Sequence, residues 1–369
     1  MPLILTEEQT MLEEAARGFL AEAAPIAHLR ALRDSRDPDG VSRDLWTSFG
    51  EMGFAGVLVP EAHGGSGLGA VEAGVIAEAV GRNLVPSPFL STGVLAATAL
   101  QAGSEEQQRW LPEIAAGRLI AAVALDEGCK HRPDQIETTA TRSGNGWRLD
   151  GAKAMVLDGH VADLLIVAAR TDEGVGLFTV APGAEGVEVE RTLMVDAHNA
   201  ARVTLSGVKV QADALIGAAD GGLFRAVCAY GGAMVAAEMT GAAEAAYEQT
   251  LAYLRERKQF GRAIGEFQAL QHRAAHLYAE LEITKAAVLK ALQLLDSDPE
   301  AAGPAVSVAK ARAGKSSELA VQEAVQMHGG VGMTDEFDVG LFMKRIRVCQ
   351  ELFGDTHHHA ERLARLSGY

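Results

Sequence analysis

Three cationic residues, Arg255, Arg257 and Lys258, precede a Gln-Phe-Gly turn that interrupts a long helical pattern. The 369-residue chain carries a formal net charge of −16, so a local group of cations is unusual in it. Cations near a helix C-terminus complement the helix dipole, which is the simplest explanation. The alternative is a small anionic ligand, with Arg257 donating to phosphate oxygens and Gln268 hydrogen-bonding a polar ring.

A second candidate segment, residues 326–333, reads QMHGGVGM and places glycines directly after a helical pattern. A glycine just past a helix end is often only a C-terminal cap. Gly329, Gly330 and Gly332 together also leave a bare backbone that a ligand can approach closely. A bare backbone combined with Arg257 indicates a possible diphosphate site.

Length, composition and charge limit the class of protein. A chain of 369 residues with 48% hydrophobic content predicts two or three globular domains. The strongly acidic balance argues against nucleic-acid binding and against anionic membranes. No apolar run is long enough for a membrane span, and the start of the chain lacks the pattern of a signal peptide.

The cysteines and histidines do not form a metal-site pattern. Cys129, Cys228 and Cys349 are far apart in the sequence and form no CxxC, which favours a reducing, cytoplasmic location. Three consecutive histidines, residues 357–359, point in different directions on a helix and cannot form a facial ligand set. We therefore predict no metal site.

The chain divides into three regions with different sequence patterns, and together these patterns predict an α+β fold. Residues 1–118 read as helices, with Thr6 and Ser42 as N-caps. Residues 119–214 carry short β-branched runs at hairpin-like spacing, which predicts an antiparallel sheet domain. Residues 215–369 carry long helical patterns with short connections, which predicts an up-down bundle.

The segments RKQFG…EFQ and QMHGGVG…DEFDVGLFMKR, in this three-part order, resemble the acyl-CoA dehydrogenase family, and the segment around Trp147 and Lys153 agrees. The resemblance covers essentially the whole chain. It implies an N-terminal helical domain, a middle antiparallel β domain and a C-terminal four-helix bundle. It also implies FAD as cofactor, an acyl-CoA substrate in lipid metabolism, an electron-transfer acceptor, and dimers or tetramers.

The resemblance assigns cofactor contacts by position. In the family, two segments reach the FAD held mainly by the neighbouring subunit, and the matching residues are Arg257, Phe260, Gln268, Gln326, Gly329 and Gly330. In the family, an aromatic residue and then a hydroxyl residue lie against the flavin ring. The matching residues in this chain are Met155 and Leu157. Met155 can pack on a ring face, but the Leu157 side chain cannot hydrogen-bond it.

The family's base, a carboxylate that takes the α-proton of the thioester, is missing from both of its usual places. After the KR helix, the matching position is Phe353 or Gly354. Early in the first long bundle helix, the matching position is Gly231, followed by Gly232. None of these residues can take a proton.

Three hypotheses follow from these departures. In the first, the chain is a subunit without its own base that completes the FAD site of a different acyl-CoA dehydrogenase chain in a mixed tetramer. In the second, a self-sufficient homo-oligomer uses a displaced base, Asp355 or Glu351, although Asp355 is also a good N-cap for the last helix. In the third, the chain is a binding or structural member without redox activity.

Overall fold

The computed structural model describes residues 2–369, and the chain begins with a helical region. The helices of this region are α1 (Glu7–Ala23), α2 (Ile26–Ser35), α3 (Arg43–Glu51), α4 (Ala70–Asn83), α5 (Ala97–Gln101), α6 (Glu105–Gln108) and α7 (Leu111–Ala115). Both predicted caps are confirmed. The Thr6 hydroxyl accepts from the Gln9 N–H at 3.2 Å, and the Ser42 hydroxyl accepts from the Leu45 N–H at 3.1 Å.

The segment before α5 is a buried π-helix, Phe89–Ala96, where the sequence predicts an ordinary α-helix. The Ser91 hydroxyl donates to the Asp158 carboxylate at 2.7 Å, and the Thr92 hydroxyl donates to the Ala121 carbonyl at 2.9 Å. These side-chain hydrogen bonds tie the wide helical turns to the sheet. Propensity does not predict this geometry, because it depends on contacts distant in the sequence.

The middle of the chain forms one eight-stranded sheet in the order β6-β7-β3-β2-β4-β5-β8, with β1 beside β4. The strands are β1 (Ala121–Ala124), β2 (Thr139–Ser143), β3 (Gly146–Leu157), β4 (Leu164–Arg170), β5 (Val175–Val180), β6 (Val187–Leu193), β7 (Asn199–Val210) and β8 (Leu215–Ile216).

The prediction of an antiparallel sheet needs one correction, because the sheet is mixed. β4 pairs parallel with both β1 and β2, while its other neighbour, β5, is antiparallel. The long connection between β1 and β2 lets the chain re-enter the sheet in either direction. Residue patterns within a strand do not encode that direction.

The rest of the chain is a helical region, as predicted. Its helices are α8 (Gly222–Glu256), α9 (Gln268–Ser297), α10 (Ala302–His328), α11 (Val339–Glu351) and α12 (Thr356–Leu366). Helix α10 packs against α9, α11 and α12. Two short strands, β9 (Lys258–Gln259) and β10 (Arg262–Ala263), form a hairpin between α8 and α9.

The chain divides into two compact units. The bundle unit comprises the chain up to Leu29, Gly74–Val85 and Gly232–Tyr369, and the sheet unit comprises Arg30–Ala73 and Pro86–Gly231. The N-terminal helices are thus shared between the units, with α1 and most of α4 in the bundle unit. Within residues 2–369, no helix is both long and apolar enough to cross a membrane.

Candidate functional site

The cationic segment forms the hairpin of β9 and β10, and its two-residue turn is Phe260–Gly261. Both turn residues have positive φ, +53° for Phe260 and +79° for Gly261. A two-residue hairpin of this kind favours Asn or Gly at its first turn position, so a phenylalanine there is strained. The Phe260 side chain is 89% exposed and therefore gains little from burial within the bundle unit.

The cations beside this turn lack partners. Arg255, Arg257 and Lys258 are exposed, and no carboxylate among residues 2–369 forms an ion pair with them. Arg262 lies over the ring of Phe267, with its Cζ 4.1 Å from the ring centroid. The hairpin therefore presents uncompensated positive charge to solvent in an acidic chain.

Aromatic packing extends this surface. The rings of Phe260 and Phe267 meet edge to face, with centroids 6.0 Å apart. The Ile264 N–H donates to the Arg257 carbonyl at 2.8 Å and closes the base of the hairpin. An exposed ring beside unpaired cations suits a ligand that joins a planar base to phosphates.

An apolar cluster holds the glycine segment against the hairpin. Leu254, Ile264 and Met327 form its buried part, so the end of α8, the hairpin and the end of α10 meet there. Beside it, the rings of Tyr253 and His328 stack with centroids 4.4 Å apart. The two segments singled out from the sequence are thus neighbours in the bundle unit.

His328 is a structural residue of this junction. Its Nδ1–H donates to the Ala324 carbonyl at 2.8 Å, and the ring of Phe337 packs on it edge to face. Sequence reasoning missed the Tyr253–His328 stack. No motif marks this stack, because the two rings meet only after α8 and α10 have packed.

The two glycines after α10 have different local reasons to be glycine. Gly329 has φ +66° and ψ −142°, a backbone conformation that other residues rarely adopt. Gly330 is exposed and has an ordinary φ, and a Cβ built on it would meet no atom within 4 Å. No contact within the chain therefore requires glycine at position 330. A ligand from outside the chain that approaches the backbone closely would require it. Gln268 and Gln326 are also exposed.

Gly232, the residue after the matched position Gly231, lies close to Phe353 in the bundle unit. A Cβ built on Gly232 would lie 3.9 Å from Cβ of Phe353. Phe353 and Gly354 have positive φ, +56° and +97°, and both are buried. The meeting point therefore contains an apolar ring and two glycines, with no carboxylate of its own.

A buried lysine shapes the turn around Phe353. Lys310 Nζ donates to the carbonyls of Cys349, Gln350 and Gly354 at 2.9, 3.0 and 2.8 Å. Burial lowers the pKa of Lys310 to about 8, so the ammonium remains largely charged at pH 7. The lysine satisfies two carbonyls at the C-terminus of α11 and one carbonyl in the turn that follows it.

A buried histidine holds the same turn from the other side. His359 Nε2–H donates to the Phe353 carbonyl at 2.8 Å, and its Nδ1 accepts from the Ser307 hydroxyl at 3.3 Å. Burial, with help from the nearby Lys310 charge, lowers the pKa of His359 to about 3, so the ring is neutral. The structural roles of Lys310 and His359 were both missed from the sequence, where His359 was considered only as one of three consecutive histidines.

The two carboxylates nearest in sequence to this turn have structural partners. An Asp355 oxygen accepts from the His358 N–H at 2.9 Å and caps α12, the alternative that the sequence suggested. Glu351 pairs with Arg347 at 2.6 Å. The catalytic role of Asp355 stays a prediction.

Met155 and Leu157 lie in the sheet unit, near the end of β3. The pairing of β3 with β7 shifts register between Lys153 and Val156, and Met155 within this bulge has φ +54°. Met155 and Leu157 are both half-buried. A bulge next to a strand end re-aims side chains, which is common beside ligand sites.

A buried ion pair supports the loop between β1 and β2. Lys153 Nζ donates to Glu127 at 2.8 Å and to the Leu125 carbonyl at 3.0 Å. Glu127 also accepts from the backbone N–H groups of Glu137 and Thr138. Burial alone would raise the pKa of Glu127, but these hydrogen bonds outweigh it and lower the pKa to about 2.

Comparison with known proteins identifies the family. The N-terminal, middle and C-terminal domains of acyl-CoA dehydrogenases match residues 6–118, 127–208 and 224–367. The chain is 32% identical over 367 residues to the acyl-CoA dehydrogenase FadE12 of Mycobacterium tuberculosis, covering 94% of this chain and 92% of that protein. The chain belongs to the acyl-CoA dehydrogenase family. The resemblance predicted from the sequence is therefore confirmed.

Solved acyl-CoA dehydrogenase structures share the whole fold. The ChsE4-ChsE5 complex of Mycobacterium tuberculosis is 29% identical with a TM-score of 0.92, and the match covers all of both chains. A variant of the Tcur3481-Tcur3483 steroid ACAD is 31% identical with a TM-score of 0.90 and 98% coverage of both chains. This family is FAD-dependent, and its reaction is the FAD-linked dehydrogenation of acyl-CoA thioesters.

The residues of the bundle unit fit part of an FAD molecule. The unpaired cations and the bare backbone at Gly330 suit a diphosphate, and the exposed Phe260 ring suits a planar base. In the sheet unit, neither Met155 nor Leu157 offers a side-chain hydrogen bond to a flavin ring. The fit is therefore stronger for the phosphate and adenine portion than for the flavin portion.

Proposed function

We propose that this chain is an acyl-CoA dehydrogenase subunit that supplies no base of its own and completes the FAD site of a partner subunit. The observation that carries the proposal is the apposition of Gly232 and Phe353. Phe353 is one matched base position and Gly232 directly follows the other, Gly231, and none of these residues can accept a proton.

The chain keeps the residues that, in this proposal, contact the FAD of a neighbouring subunit. Arg257 is the donor for the diphosphate, and the backbone of Gly329 and Gly330 allows the phosphates to approach. Gln268 hydrogen-bonds the adenine or flavin edge. FAD, when bound, accepts the hydride from the substrate, and the residues named here bind and orient it.

The partner in this proposal is a second acyl-CoA dehydrogenase chain that carries the carboxylate. Two similar structures support a mixed assembly, since their names give the pairs ChsE4-ChsE5 and Tcur3481-Tcur3483. The second of these is described as a steroid ACAD. We therefore extend the proposal to a bulky acyl-CoA substrate, with an electron-transfer acceptor reoxidising the flavin.

The proposal is tested first with the isolated chain, acyl-CoA substrates and an artificial electron acceptor. The expected result is no substantial turnover, because neither base position carries a carboxylate. Robust turnover that disappears in Asp355→Asn would establish a self-sufficient enzyme with a displaced base. Robust turnover that survives both Asp355→Asn and Glu351→Gln would place the base elsewhere. Either result overturns the proposal.

The role of Arg257 in FAD binding is tested in the assembly, which is purified through a tag on this chain so that its partner remains bound. Arg257→Ala should weaken FAD retention roughly 10- to 150-fold, since a charge-assisted contact contributes about 1.5–3 kcal/mol. Arg365→Ala, a change of the same kind on α12, is the matched control. Equal flavin content in both variants would contradict the role of Arg257.

Substitutions of Gly329 and Gly330 provide an independent test of FAD binding by this part of the bundle unit. Gly330→Ala should leave the stability of the isolated chain unchanged, because the added methyl group meets no atom and strains no backbone. It should nevertheless reduce flavin retention in the assembly. Gly329→Ala should reduce stability as well, because its backbone conformation excludes a side chain. Unchanged flavin content in Gly330→Ala would remove this turn from the site.

A further inference from the structure

Helix α4 lies in direct backbone contact with α8 in the bundle unit. A Cβ built on Gly81 would lie 2.0 Å from the Glu238 carbonyl oxygen, and one built on Gly241 would lie 2.0 Å from the Glu78 carbonyl oxygen. The two helices can approach this closely only because both residues lack a side chain. This contact brings the backbone of Glu78 directly against α8.

The Glu78 carboxyl group lies among charged groups of four helices. They are Glu13 and Arg17 on α1, Arg82 on α4, Glu244 and Glu248 on α8, and Glu282 and Lys285 on α9. Together with Glu78, five carboxyl groups therefore share three cations. Two carboxyl groups therefore lack a cation of their own, and one of them, Glu282, pairs at 3.2 Å with Lys285, which it shares with Glu244.

The cations of this cluster are taken by the other glutamates. Arg17 pairs with Glu13 at 2.6 Å, and Lys285 pairs with Glu244. Arg82, one helical turn after Glu78 and well spaced to pair with it, instead pairs with Glu248.

Glu78 is consequently the carboxyl group without a cation. Within residues 2–369, no hydrogen bond or ion pair reaches it. The nearby Glu244 is buried, and its Oε2 accepts no hydrogen bond although two arginines lie 3.6 and 3.8 Å away. A carboxylate on the half-buried Glu78 would thus face the like charges of Glu244 and Glu13.

We propose that α4 is held in the bundle unit by a proton-dependent latch, in which Glu78 is protonated in the closed state and its ionisation loosens α4. The electrostatics of the cluster agree. Burial, and then the charges of Glu244 and Glu13, raise the pKa of Glu78 to about 8. Most of α4 lies in the segment Gly74–Val85, which belongs to the bundle unit.

Hydrogen exchange of residues 74–85 between pH 6 and pH 9 tests the latch. In the open state Glu78 ionises at its ordinary carboxyl pKa, so opening releases a proton. Protection factors, which correct for the intrinsic pH dependence of exchange, should fall by up to about tenfold per pH unit and level off above pH 8. In Glu78→Gln the protection should stay high and nearly independent of pH.

Glu22→Gln, the same change at an exposed position of α1, is the control and should behave like the unmodified protein. Two results would overturn the proposal. One is protection in the unmodified protein that does not change with pH, which needs no variant and holds even if Glu78→Gln fails to fold. The other is a Glu78→Gln protein that shows the same pH dependence as the unmodified one.

Discussion

Gly232 on α8 and Phe353 after α11 face each other in the bundle unit, with 3.9 Å between a Cβ built on the glycine and Cβ of the phenylalanine. These two positions are 121 residues apart in the sequence and lie on different elements, yet the fold brings them to one point. The sequence resemblance assigns the base to Phe353 or Gly354, or to Gly231, the residue before Gly232. In this chain, neither position retains an acid.

Asp355 is the residue that best separates a capping role from a catalytic one. Asp355→Ala should lower the free energy of unfolding by about 1 kcal/mol, because the α12 N-cap bond to the His358 N–H is lost. Asp355→Asn should keep most of that stability, since asparagine caps well. Urea denaturation and turnover of both variants give the comparison. A loss of turnover in Asp355→Asn at unchanged stability would instead show that Asp355 is the base.

Lys310→Met should destabilise the bundle unit by about 1–3 kcal/mol or more. The methionine fills similar space but leaves three buried carbonyls, those of Cys349, Gln350 and Gly354, without their donor. The measurement is the urea denaturation midpoint at pH 7. Lys315→Met, an exposed position on the same helix, is the control and should change the midpoint little. Equal midpoints for the two variants would contradict the structural role of Lys310.

The sequence predicts the fold well where local signals suffice. The caps at Thr6 and Ser42, the long helix α8 and the succession of helices, sheet and helices all follow from periodicity and capping residues. Strand direction and the π-helix do not follow, because they depend on contacts between distant segments. The parallel pairing of β1 with β4 is decided by the path of the intervening chain, and β1 itself does not encode it.

The candidate site is predictable only in part, for the same reason. Arg257, Phe260 and Gly330 stand in recognisable motifs, and their exposure in the structure is compatible with the proposed roles. Lys310 and His359 belong to no motif, since a lysine inside a helix usually points to solvent. Their importance arises from burial beneath a turn that carries positive φ angles, and only the assembled fold shows it.

Glu127→Gln should weaken the sheet unit at neutral pH and much less in acid. The depressed pKa of Glu127 means that its ionised form is stabilised in the folded state. That stability is present above the ordinary carboxyl pKa and is lost as pH falls through about 2. We expect a loss of about 1.5–3 kcal/mol at pH 7, from the hydrogen bonds to a charged group.

Urea denaturation at pH 7 and at pH 3 checks this prediction. Glu173→Gln, at an exposed position of the sheet unit, is the matched control and should show no significant loss at either pH. A Glu127→Gln deficit that is as large at pH 3 as at pH 7 would mean that shape or packing, rather than the charge of Glu127, stabilises the loop.

Phe260→Asn should move local stability and cofactor retention in opposite directions. Asn-Gly is the preferred pair for a two-residue turn with positive φ at both positions, so the variant relieves a strain of roughly 1 kcal/mol in the hairpin. It also removes the exposed ring, and the loss of one base–aromatic stack weakens binding by about 1–3 kcal/mol. Hydrogen exchange of residues 258–263 should therefore slow while flavin per assembly falls.

The control is Phe260→Tyr, which keeps both the ring and the strain, and should retain flavin without slowing exchange. If Phe260→Asn slows exchange but retains full flavin, the ring has no role toward the cofactor and the strain at Phe260 is unexplained. If it loses flavin and exchanges faster, the phenylalanine supports the hairpin through its contact with Phe267. The predicted combination, a more stable hairpin that holds less flavin, arises only if the strain is maintained for a ligand outside this chain.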